Sequence, residues 1–107
     1  MAGSPVHMEP QFSPEMIVKV TEGRQLSTTL AGEVVILDIE RGLYYGLDGV
    51  GVDVWTRLQS PSRLGDLVDH VVDHYDVDRP TAHADIQSLL RELFALGLIE
   101  RDGPAKP

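Results

Sequence analysis

Apolar residues recur along the chain first with a period of two and later with periods of three and four. Residues 16–21 (Met-Ile-Val-Lys-Val-Thr) are rich in β-formers and predict a first strand. Thr28, Thr29 and Leu30 extend that ladder after a turn-like stretch at 22–25. Residues 33–39 (Glu-Val-Val-Ile-Leu-Asp-Ile) are the clearest strand, and Leu43, Tyr44, Tyr45, Gly46 and Leu47 form its return. Gly42 between them suits the left-handed conformation of a short hairpin loop. The simplest pairing sets Ile39 against Leu43, Leu37 against Tyr45 and Val35 against Leu47. Those six side chains then share one face that needs a cover.

The cover follows in the chain. Asp48 is placed to cap a helix with apolar positions Val50, Val54, Trp55 and Leu58, and residues 59–61 end it. Ser62 is placed to cap a second helix, whose stripe is Leu64, Leu67, Val68, Val71, Val72 and Tyr75. Residues 76–80 read as a turn. A third helix is expected from Thr81 to Leu96, with the stripe Ile86, Leu89, Leu90, Leu93 and Leu96, and Gly97 stops it. Leu98 and Ile99 then fold back as an apolar clip. About three strands followed by three helices predict an α+β domain with a small antiparallel sheet and a winged helix-turn-helix outline. The expected division is a flexible tail over 1–14, one folded domain over 15–100 and a second tail over 101–107.

Charge changes the list of partners. Seventeen acidic against nine basic side chains give a formal charge of −8. Phosphate and anionic-lipid binding need a basic surface, so neither nucleic acid nor membrane is an expected partner. A DNA-binding winged helix is the competing outline. Its third helix would carry Arg91 and His83 against Asp85 and Glu92, which is no basic recognition stripe. The chain has no cysteine, which excludes disulfides and thiolate chemistry and suits the cytoplasm. No apolar run is long enough to span a bilayer, and the first residues lack a signal-peptide pattern.

Candidate chemistry is sparse. His70 and His74 stand four apart near Asp66, Asp69 and Asp73, a spacing that can hold a metal. All five fall on the polar side of their helix, so a solvated face is expected instead. Ser27, Thr28 and Thr29 lie together without a histidine or carboxylate at motif spacing. There is no phosphate loop and no zinc-protease signature. No catalytic residue, metal site or cofactor is expected. The last strand in sequence order remains: residues 43–47 can lie at a sheet edge, where unpaired backbone groups invite another chain. Gly46 then either admits a visiting backbone or relieves crowding beside Trp55.

The residues Gly42-Leu43-Tyr44-Tyr45-Gly46-Leu47-Asp48, then Val50-Gly51, Val54-Trp55 and Leu58, form an ordered set. A Leu-Val helix ending in Tyr75-Asp76-Val77 continues it, and Asp85-Ile86, Leu89-Leu90, Leu93 and Gly97-Leu98-Ile99 complete it. This set, covering about residues 28–100, resembles the PqqD-like family, also called RiPP recognition elements. Asp48 stands where that family more often has Asn. The resemblance implies a domain that binds the leader of a ribosomally made precursor peptide, with the leader added antiparallel to the third strand and packed on the third helix. The implied contact residues are Leu43, Tyr44, Tyr45, Gly46, Leu47, Asp85, Ile86, Leu89, Leu90 and Leu93. Of these, Ile86, Leu90 and Leu93 are expected mainly to support the core, and Leu89 and Asp85 to sit at its margin. Within the family the chain looks most like the stand-alone leader-binding protein of lasso peptide biosynthesis. That implies a precursor, a leader peptidase and an ATP-dependent macrolactam-forming cyclase as partners. A PqqD-type chaperone for a radical-SAM enzyme is the near alternative.

Overall fold

The computed structural model describes residues 12–102. The expected tails therefore lie mostly outside the described residues, at 1–11 and 103–107. The α+β architecture is present, with three helices beside two antiparallel sheets of three strands each. In one sheet β2 (Gln25–Leu30), β3 (Glu33–Asp38) and β4 (Leu43–Leu47) lie in that order. In the other, β1 (Ile17–Val20) is central, between β5 (Ser62–Arg63) and β6 (Ile99–Asp102). The helices are α1 (Val50–Arg57), α2 (Leu64–His74) and α3 (Arg79–Ala95).

The first strand thus does not join the hairpin ladder. Val18 and Val20 point into the core and Ile17 to Val20 pair with Asp102 to Ile99. β6 runs two residues past the expected end of the domain. At the other margin Phe12 is buried, and its carbonyl accepts a hydrogen bond from Gln87 Nε2 at 2.7 Å. Its ring meets Phe94 edge-on at 5.8 Å. Both margins are held by partners some 75 to 85 positions away in the chain, beyond the reach of a local pattern.

The β3–β4 register differs from the expected one by a single residue. Val34 faces Leu47, Ile36 faces Tyr45 and Asp38 faces Leu43. Since strand side chains alternate, the slip exchanges the two faces of β3. Val34, Ile36 and Asp38 are the buried set, while Val35 and Leu37 are half-buried on the outer side and Ile39 lies beyond the strand, exposed. The reason lies in the loop. The Gly42 N–H bonds the Asp38 carbonyl at 2.7 Å, with Gly42 at φ 68°, so the hairpin closes on Asp38 and not on Ile39.

Two expected caps are also replaced. The side chain of Asp48 caps nothing: Gly49 is the N-cap of α1, and Asp48 contributes its carbonyl to the Gly51 N–H at 2.9 Å. Ser62 lies in β5, its hydroxyl donating to the carbonyls of Arg57 and Ser60, and Arg63 is the N-cap of α2. α3 begins at Arg79, so the expected turn donates its last two residues to the helix. Pro80 is tolerated there because the first-turn N–H groups have no helical partner anyway. Gly97 ends α3 as expected. The Leu98 N–H bonds the Leu93 carbonyl and the Gly97 N–H bonds that of Phe94, the paired pattern of a helix stopped by a left-handed residue.

The helical stripes close over the inner faces of both sheets. Leu64, Leu67, Val68 and Val71 of α2 are buried, as are Ile86, Leu90 and Leu93 of α3, against Val18, Ile36 and Leu98. Each such side chain contributes roughly 1.5–3 kcal/mol by leaving water.

Candidate functional site

β4 is an edge. The strand order β2-β3-β4 leaves its second side without a partner strand among the described residues. A strand so placed presents alternate N–H and C=O groups to whatever approaches. Its side chains divide by face. Tyr45 and Leu47 are half-buried against the core, Leu43 is about half exposed, and Tyr44 is 70% exposed on the outer face. A Cβ at Gly46 would meet nothing of the chain within 4 Å. Gly46 shares the outer face with Tyr44, whereas Trp55 is buried under the inner one, so crowding beside Trp55 does not explain this glycine.

The second wall is α3. The strand leaves the hairpin beside the end of this helix, because Arg41 in the β3–β4 loop donates to the Leu96 carbonyl at 2.7 Å. From there β4 runs away from Leu96 while α3 runs toward it. Leu89 and Leu96 are half-buried against the same core that receives Tyr45 and Leu47. Asp85 is exposed one turn before Leu89. The two elements do not pack closely along their length. The unpaired side of β4 and the half-buried Leu89 of α3 both border the core, with no close packing between the two elements. Ile86, Leu90 and Leu93, with exposures of 1%, 0% and 4%, back this region from inside the core and offer no surface to it. Of the five helix residues implied as contacts, Leu89 and Asp85 remain accessible.

The outer face of the same sheet is also apolar. Leu26, Leu37 and Tyr44 stand in one cross-strand row, with Leu26 63% exposed.

Sequence reasoning did not mark Asp38, which is completely buried at the end of β3. Burial works to raise its pKa, but hydrogen bonds from the Arg41 side chain and backbone and the charges of Arg41 and Arg24 outweigh it, and the net shift is downward. The only sequence signal was an acidic residue interrupting an apolar strand, with arginines at 24 and 41 flanking it.

Asp66, Asp69, Asp73 and His74 are exposed as expected, but His70 is not freely solvated. The His70 side chain is 14% exposed, with Nε2 3.5 Å from Asp53 Oδ2, and its ring stacks on His74 with centroids 4.1 Å apart. Asp53 also accepts the Tyr75 hydroxyl at 2.6 Å, and that bond chiefly holds its carboxyl below the ordinary range. Nearby, Asp66 and Asp69 pair with Arg63 and Arg79. Among the described residues no three His, Cys, Asp or Glu side chains are grouped to hold a metal ion. Ser27, a residue weighed above for nucleophilic chemistry, accepts a hydrogen bond from the Trp55 indole. Among the described residues no helix is long and apolar enough to cross a membrane.

Comparison with known proteins bears on this edge. The family model described as coenzyme PQQ synthesis protein D (PqqD) matches residues 33–99. No curated protein matches the chain. Among solved structures, one described as TbiB1 in complex with the TbiA(beta) leader peptide is 35% identical, with a TM-score of 0.70. The alignment covers 82% of this chain and 99% of that one. A second, described as lasso peptide synthetase B1 complexed with the leader peptide, shares the fold at 22% identity and a TM-score of 0.70. It covers 78% of this chain and 96% of its own.

Proposed function

Because the chain belongs to the PqqD family, we propose that it binds the leader segment of a ribosomally made precursor peptide along β4. The observation that carries this reading is the open edge itself: a strand with one side unpaired among the described residues, in a chain 35% identical to TbiB1. Main-chain bonds to β4 supply affinity, and the apolar floor of Tyr45, Leu47 and Leu89 supplies selectivity. Leu43 and Asp85 flank that floor.

The antiparallel direction is part of this proposal. A peptide antiparallel to β4 enters beside Leu47 and leaves beside Leu43, Arg41 and the end of α3. The segment downstream of the leader then emerges at the hairpin end. Such a protein holds one part of a peptide while another protein acts on the rest. We assign it no catalytic role. Its partners in this reading are the precursor of a lasso peptide, a leader peptidase and an ATP-dependent macrolactam-forming cyclase, with the cytoplasm as the setting. The outer row of Leu26, Leu37 and Tyr44 is an exposed apolar surface on the same sheet and suits docking to one of those enzymes.

Titrating the protein with labelled TbiA(beta) leader peptide, and with the leader of a precursor encoded beside its own gene, tests the reading. Saturable binding with protection of the amides of Leu43–Leu47 is expected. Protection confined to α2 would place the site elsewhere.

A further inference from the structure

Asp38 is a carboxylate with no exposed surface. A buried charge is costly unless it is paired and hydrogen-bonded, and its partners come from two separate parts of the chain. Arg41, in the β3–β4 loop, donates Nη1 to Oδ2 at 2.9 Å and its backbone N–H to Oδ1 at 3.2 Å. Arg24, at the entry to β2, brings Nε to 3.7 Å from Oδ1.

Neither arginine stops at Asp38. Arg41 Nη1 also donates to the Leu96 carbonyl at 2.7 Å, and Arg24 Nη2 reaches the same oxygen at 3.4 Å. Leu96 is the C-cap of α3, where carbonyls lack helical partners and cations are favoured. One buried carboxylate thus orients two guanidinium groups onto one helix end. Gly97 fits the same arrangement. A Cβ there would come within 2.9 Å of Arg24 Nη1, so the bare position leaves room for the arginine as well as stopping the helix.

These contacts tie the hairpin end of β4 to the end of α3, the two walls of the open edge. An added strand must pair with β4 and seat its side chains against α3 at once, which needs the two walls at a set separation. We propose that Asp38, Arg24 and Arg41 act as positioning residues, a clamp that sets this separation and so the affinity for the leader peptide without touching it. The inference rests on the reading of the β4 edge as the leader site. Its physical basis is preorganisation: a groove already held at the bound spacing spends less binding free energy on ordering itself.

The test compares Arg41→Ala, Arg41→Lys and a control, Val71→Ala, which opens a core gap in α2 away from the clamp. Arg41 is 41% exposed, so its truncation leaves no large cavity, whereas Asp38→Asn risks failing to fold. Binding is read by fluorescence polarisation with labelled TbiA(beta) leader peptide and the leader of the neighbouring precursor. Amide exchange is measured on the free proteins. Arg41→Ala is expected to weaken binding tenfold or more and to speed exchange at 43–47 and 93–98, with β1 unchanged. Arg41→Lys should recover only part of the affinity, because both bonds come from Nη1, one bond farther out than a lysine ammonium reaches, and that ammonium is more strongly hydrated. Val71→Ala should lower the urea midpoint and keep full affinity. Unaltered affinity in Arg41→Ala, or an equal loss in Val71→Ala, overturns the proposal. If the unaltered protein binds neither peptide, the leader-site reading fails, and exchange at 43–47 still decides whether the clamp holds the walls.

Discussion

The Trp55 indole N–H donates to the Ser27 hydroxyl at 3.1 Å, fastening α1 to the β2 side of the hairpin sheet. Trp55 is 2% exposed, so its N–H has little access to water as a substitute. Ser27→Ala should therefore lower stability by about 1 kcal/mol, measured as a shift in the urea midpoint at unchanged slope. Leader binding should stay intact, since β2 lies at the other edge of the sheet.

Leu89 is the half-buried apolar residue among the implied contacts on α3. Losing one apolar anchor is worth roughly 1.5–3 kcal/mol, and tenfold in affinity is about 1.4 kcal/mol. Leu89→Asp should weaken leader binding by roughly ten- to a hundredfold or abolish it, while the circular dichroism spectrum stays native. Full affinity in a folded Leu89→Asp protein would move the site away from α3.

A core position on the same helix should behave differently. Leu90 has no exposed surface, and Leu90→Ala should cost roughly 2–5 kcal/mol of stability through lost burial and the cavity left behind. Its effect on binding should follow the unfolded fraction alone. Comparing affinity per folded molecule for Leu89 and Leu90 variants separates lining from support.

The outer face gives a prediction of the opposite kind. Leu26 is 63% exposed and lies away from the β4 edge. Leu26→Asp should leave both fold and leader affinity unchanged but slow leader removal in a reconstituted reaction with the peptidase. A rate equal to that of the unaltered protein would mean that the Leu26, Leu37 and Tyr44 row does not dock the peptidase.

Asp38 sets a pH dependence. Burial alone would raise its pKa in the fold, but Arg41 and Arg24 more than reverse this, so the folded value lies below that of the unfolded chain. A carboxyl shifted in that sense contributes stability that is fully present above its unfolded pKa and is lost as pH falls through the folded one. Where Asp38→Asn folds, it should be less stable at neutral pH and show a shallower loss of stability on acidification. Urea midpoints measured from pH 7 downward check the sign.

Much of this was readable without coordinates, where side chains repeat locally. The stripes of α2 and α3 follow periods of three and four and supply Leu64, Leu67, Val68, Val71, Ile86, Leu90 and Leu93 to the core, while Ala82 and Gln87 are buried outside the expected stripe. Gly97 stopped α3 because a left-handed residue was needed where the stripe ended. The division of α3 between core and margin was equally legible, since Leu89 lies off the line through Ile86, Leu90 and Leu93.

Where the reading failed, the deciding partner was distant or polar. The expected register puts Val35, Leu37 and Ile39 on the covered face and so leaves Asp38 on the other, one residue away from the observed pairing. Arg24 and Arg41 make the buried carboxylate tolerable, but no local pattern shows that they converge with it on Leu96. His70 was assigned to solvent because its helix face is polar, yet Asp53 of α1 covers it. Asp48 and Ser62 are common capping types, and here the backbone geometry around Gly49 and the pairing of β5 with β1 took precedence.

The sequence by itself determined the α+β class, the order of the main elements and the family, because each rests on short-range periodicity or an ordered motif. Only the tertiary structure decided the second sheet, the β3–β4 register and the clamp on Leu96. Each of those depends on segments distant in the chain meeting in space. A buried charge or an unpaired strand edge is stable or available only relative to what is packed beside it.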